Sequence, residues 1–163
     1  MAYAIENDLL GQIKIGNVDT AQNFQLGTIV GGVDTTLGGG EFVYLLASGT
    51  IAAGNVVQYD QYNATATTWT GTANSSRPLA VAMSAMVTGQ YGWFQISGVA
   101  AVTISGTIAA GANAYWQANG VVYSTLTAGK QALPMIAVTA NGVPAAGMAY
   151  YQINRIHSQG NIT

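Results

Sequence analysis

The heptapeptide SGTIAAG stands at Ser48–Gly54 and again, unchanged, at Ser105–Gly111. The second copy follows the first by 57 positions, and that offset keeps finding matches without a gap. Thr68 and Thr70 fall on Thr125 and Thr127, and Leu79-Ala80-Val81 falls on Ile136-Ala137-Val138. Trp93-Phe94-Gln95-Ile96 falls on Tyr150-Tyr151-Gln152-Ile153, while Pro78 misses Pro134 by one position. Chance matches are common in a chain rich in Ala, Gly and Thr, but they do not hold one register over about fifty positions. The expectation is a tandem duplication, with units at 42–98 and 99–155 and a C-terminal tail at 156–163.

Each unit repeats one internal order of signals. An apolar, β-prone stretch (Phe42–Ala47 or Val99–Ile104) leads into SGTIAAG, whose last Gly suits a turn of positive φ. Asn55–Asp60 then mixes apolar and polar residues as a half-covered strand does. The β-branched stretch around Trp69, TATTWTGT, favours strand over helix. Pro78 opens LAVAM at the first position of a strand, where proline is tolerated. GQYGWFQISG closes the unit as an aromatic strand bounded by glycines. Trp93 and Phe94, being adjacent, face opposite sides of that strand. With 21 glycines, few windows sustain a helical period, and the best helix candidate is a short one near Glu6–Leu10. The fold expected is all-β: two tandem pseudo-repeated β-rich units forming a barrel- or sandwich-like body.

Residues 1–41 precede the repeat and read as an extended N-terminal arm. Ile13, Ile15, Phe24, Leu26, Ile29 and Val30 give it apolar anchors, and Gly38–Gly40 supplies a flexible joint. Two uses fit: strand addition to a neighbour, or a strand pair completing the chain's own sheet.

Of 163 residues, 50% are hydrophobic and only 6% charged, against about 25% charged in ordinary soluble domains. Disordered chains have the opposite balance. A surface so poor in charge fits a protein largely covered by partners, its own copies included, or one solvated by Thr, Asn, Gln and Ser. The basic residues are Lys14, Arg77, Lys130 and Arg155, too few and too scattered to track phosphates, so no nucleic-acid partner is expected. No membrane partner is expected either: there is no polybasic cluster and no apolar run near the roughly 18 residues of a membrane helix. The start of the chain lacks the charged and apolar regions of a signal peptide, so synthesis in a cytoplasm is expected. The absence of cysteine removes disulfides and thiolate metal sites.

Catalytic signatures are absent. His157 is the single histidine, no G-x-S-x-G elbow occurs, and VGGVDTTLGGG lacks the GK[ST] of a phosphate loop. Five of the six acids (Glu6, Asp8, Asp19, Asp34 and Glu41) precede the repeats, and only Asp60 lies within one, so a paired-carboxylate site in the body is not expected. Neither enzyme activity, a cofactor nor a metal is expected. The aromatics Trp69, Trp93, Trp116, Tyr91 and Tyr115 could stack on sugar rings or on a protein partner, while core packing is the default expectation for most of them. The candidate interface residues are therefore Ile13, Ile15, Phe24, Leu26, Trp69, Trp93 and Trp116.

NFQLGT, GGGEFVYLLASGTIAAGNVVQYD, RPLAVAM and GQYGWFQISGVA together resemble the head decoration, or capsid cement, proteins of tailed double-stranded DNA bacteriophages. The likeness covers roughly residues 22–155 and is one of pattern. It implies a β-rich virion protein on the capsid exterior, a homotrimer bridging neighbouring major capsid proteins, with no catalytic residues. Two rivals stand beside it: a carbohydrate-binding or adhesin module of a phage fibre, and a component of the shell lattice itself.

Overall fold

A computed structural model describes residues 13–161 and the backbone of Ala4–Ile5. The helix expected near Glu6–Leu10 lies outside the described residues. Twelve strands form one sheet: β1 (Ala4–Ile5), β2 (Val18–Asp19), β3 (Ile29–Asp34), β4 (Gly38–Ala47), β5 (Val56–Asp60), β6 (Thr65–Thr68), β7 (Leu79–Ala82), β8 (Tyr91–Thr103), β9 (Asn113–Ala118), β10 (Val121–Tyr123), β11 (Gln131–Ala137) and β12 (Met148–Ser158). The chain is all-β, as its glycine spacing and β-branched runs predict.

The sheet closes on itself twice. Ring one runs β4-β6-β5-β7-β8 and is completed where β4 pairs with β8. Ring two runs β8-β12-β11-β9-β10 and returns to the end of β8 through the bridge Ile104–Val122. The long strand β8 thus serves both rings. The boundaries read from sequence at 41/42, 98/99 and 155/156 fall inside β4, β8 and β12.

The pairing itself repeats. In ring one Phe42, Val43, Tyr44, Leu45 and Leu46 face Gln95, Phe94, Trp93, Gly92 and Tyr91. In ring two Val99, Ala100, Ala101, Val102 and Thr103 face Gln152, Tyr151, Tyr150, Ala149 and Met148, each partner 57 positions on. The register departs from that offset at β7. Val81 lies opposite Gln95 and Val56, whereas Ile136 lies opposite Gln152 and Asn113. Leu79–Ala82 therefore corresponds to Pro134–Ala137, two residues earlier than the gapless match to Ile136–Val138. A two-residue slip keeps every side chain on its own face, so the alternation hides it.

Three apolar clusters follow from the alternation. Val43, Leu45, Ile51, Val57, Ala80, Phe94 and Ile96 point into ring one. Val102, Ile104, Ile108, Val122, Met135, Tyr151 and Ile153 fill ring two. Phe42, Tyr44 and Trp93 lie on the outside of ring one and are covered by Ile13, Ile15 and Val30, with Phe24 and Leu26 packed alongside.

That third cluster corrects the arm. Residues 13–34 lie on the chain's own body, with β2 on Gly92 and Tyr91 and β3 along β4. Of the two uses foreseen, the internal strand pair is the one seen. Gly38–Gly40 is no flexible joint but the start of β4. A Cβ on Gly40 would lie 3.1 Å from the Ser97 carbonyl oxygen and 3.2 Å from the Gln95 amide nitrogen, so glycine there permits close strand approach.

Candidate interaction surface

A groove opens along β11. Met135 and Ala137 point into ring two, so Pro134 and Ile136 point out, as strand alternation requires. With Val138 just past the strand and Gln152 and Asn154 on β12, they line a groove of about 530 Å³. No charged side chain lines it. Such a groove favours an apolar, shape-matched partner over an ionic ligand.

The corresponding face of ring one is closed. Val56, Leu79 and Val81, on the outer side of β5 and β7, are buried under ring two in one cluster with Trp69. Trp116 of ring two donates its indole N–H to the Trp69 carbonyl at 2.6 Å. Its ring lies against Gly71 and beneath the Lys130 ammonium, 4.5 Å from the centroid. The β9–β10 turn completes the contact. The Asn119 carbonyl accepts from the Asn55 amide at 2.9 Å, and the Gly120 carbonyl accepts from the Val56 N–H at 2.8 Å.

The residues expected at an interface are mostly spent inside the chain. Trp69 is fully buried between the rings, and Trp93 is buried beneath the N-terminal segment. Phe24, Tyr44 and Trp93 form an aromatic cluster with centroids 5.0–5.4 Å apart. The Tyr44 hydroxyl donates to Asp19 Oδ2 at 2.7 Å, and burial, with that hydrogen bond, pushes its ionisation above the usual tyrosine range. Ile13 and Ile15 are buried in the same place. Tyr91 stacks on Tyr44 and Tyr115 is buried, so Trp69, Trp93 and Tyr115 take the core placement rather than serving as open stacking platforms.

The exposed groups that sequence reasoning passed over are Ile136, Val138, Leu126 and Tyr62. One signal was present. Leu133–Val138 is apolar at every position, the pattern of a strand covered on both faces, yet only one face of β11 is covered.

Polar groups serve local structure. Asp60 accepts from the Tyr62 N–H and the Asn63 amide, which hold its carboxyl below the ordinary value and cap the turn after β5. Asp34 caps the next turn through the Thr36 and Leu37 N–H groups. His157 is exposed on β12 opposite Leu133. Among the described residues no three His, Asp or Glu side chains converge as metal ligands.

No family model and no curated protein matches the chain. A solved structure is similar: the N base of head fiber gp8.5 of bacteriophage phi29, with a TM-score of 0.51 and 16% identity. The match covers 74% of this chain and 98% of that one. At this identity the likeness is one of fold.

Proposed function

We propose that this chain is a structural protein of a tailed-phage virion, seated on the outside of the head. The observation that carries the reading is the two-ring body, whose fold extends over nearly all of a phage head-fiber base. Fold alone does not assign function. Here it agrees with a chain only 6% charged and with a β11 groove lined by apolar and amide side chains. In the finer reading the protein acts as cement, bridging neighbouring major capsid proteins so that the shell resists pressure from within.

The similar structure is the base of a head fiber, and this favours a second reading, in which the chain is the foot of a surface fibre that binds glycans. Co-sedimentation with phage heads lacking this protein separates the two. Saturable binding to heads, with no signal on a glycan array, is expected. Glycan binding without head affinity would overturn the cement reading.

A further inference from the structure

The two rings treat equivalent strand faces in opposite ways. Val56, Leu79 and Val81 of ring one are buried because ring two is seated on them. The pairing register puts Asn113, Pro134 and Ile136 at those positions in ring two, and all three are exposed, Ile136 by 48%. The stretch carrying Trp69, which is fully buried, falls on Thr125–Leu126, where Leu126 is 74% exposed.

The receiving side shows the same asymmetry. Trp69 and Val81 share one buried cluster with Ala100 and Val102 of ring two, and Trp116 packs against it. The counterparts of Ala100, Val102 and Trp116, 57 positions earlier, are Val43, Leu45 and Tyr59; Val43 and Leu45 are buried in the ring-one core, and all three line a groove of about 190 Å³ together with Ile29, Gln61 and Arg155. The β9–β10 turn docks on Asn55 and Val56, whereas the turn after β5 ends in Tyr62, 94% exposed.

We infer that a second copy of this chain covers the open β11 face. Leu126, Pro134 and Ile136 of one copy enter the ring-one groove of the next, so the contact made within the chain is made again between chains. This goes beyond the proposed virion role and does not depend on it. The occupant follows from continuity with the ring-to-ring interface: each chain presents one uncovered half of that interface at either end. Such a contact is head-to-tail, and it builds a closed ring, such as the trimer expected above, or a fibre if the step does not close.

The test uses the full chain and two surface variants. Leu126→Asp with Ile136→Asp spoils the β11 face, and Ile29→Asp with Tyr62→Asp spoils the groove. Circular dichroism checks that each variant stays folded. By light scattering at micromolar concentration the natural chain is expected at a multiple of 16.7 kDa and each variant alone at about that mass. Mixing the two variants restores one good interface and gives a dimer. A natural chain that stays monomeric, or folded variants that assemble unchanged, would overturn the inference. Variants that are monomeric both alone and mixed would show a two-fold symmetric contact instead and overturn it equally. Head binding measured on the same proteins reports separately on the virion role.

Discussion

Ring one and ring two hold their long strands in the same pairing, yet their outer faces meet different fates. Ring one places Phe42, Tyr44 and Trp93 on the outside and covers them with the N-terminal segment. At the matching positions ring two has Val99, Ala101 and Tyr150. Ring one carries three large aromatics under its cover, whereas ring two carries a half-buried Tyr150 beside a half-buried Val99 and a buried Ala101. The difference teaches that strand register and face coverage are separate properties: the two rings share the first and differ in the second.

Removing residues 1–34 breaks the comparison most severely, because it uncovers Phe42, Tyr44 and Trp93 of ring one. Each exposed aromatic forfeits about 1.5–3 kcal/mol of burial, against a total stability of about 5–15 kcal/mol. The truncated chain is expected to lose its cooperative unfolding transition. A truncated chain as stable as the full one would mean that the segment is not part of the core.

The next contrast is between Trp69 and Leu126. Trp69→Ala empties the junction between the rings and should cost about 3–5 kcal/mol in denaturant unfolding. Leu126→Ala removes an exposed side chain and should stay within about 0.5 kcal/mol.

Gly54 and Gly111 end the two copies of SGTIAAG, with φ of +78° and +83°. Alanine at either position meets the left-handed penalty of about 1–2 kcal/mol. At Gly54 the added methyl also lies 2.9 Å from Thr103 Oγ1 and 3.2 Å from the Ala101 carbonyl oxygen, while at Gly111 nothing lies within 4 Å. Gly54→Ala should therefore exceed Gly111→Ala by about 1–3 kcal/mol. Equal costs would mean that ring two does not roof the first turn.

The smallest effect is expected at Tyr151, which stands where ring one has Phe94. Its hydroxyl is buried without a hydrogen-bond partner, and burial pushes its pKa up to about 12. Tyr151→Phe should stabilise the chain by about 1 kcal/mol. In the folded state the phenol holds its proton above the ordinary value of 10.0, while the unfolded chain releases it there. The natural chain should thus lose stability as pH rises from about 10 to about 12, and the variant should lose less. Thermal unfolding across that range reads both.

Much of the fold was legible in sequence, and the misreadings have physical causes. SGTIAAG located equivalent turns, and the adjacent Trp93 and Phe94 do lie on opposite faces, one outside ring one and one within it. The outward tryptophan is covered because the N-terminal segment returns to it, a contact between distant residues that local pattern does not show. Gly38–Gly40 was misread because glycine that permits close strand approach looks the same as glycine that frees a joint. The Leu79–Ala82 match slipped by two because period-two alternation is blind to an even shift. At the candidate surface the apolar run Leu133–Val138 was visible, but its partner was not: whether a second face is covered depends on the next ring, inside the chain or beyond it.

A cryo-EM map of phage particles carrying this chain tests the account most directly. The two-ring body is expected on the outer surface of the head, resting on more than one major capsid protein. Its open β11 face should lie against a neighbouring copy. Density for this chain inside the shell, within the tail or confined to a fibre tip would contradict the account.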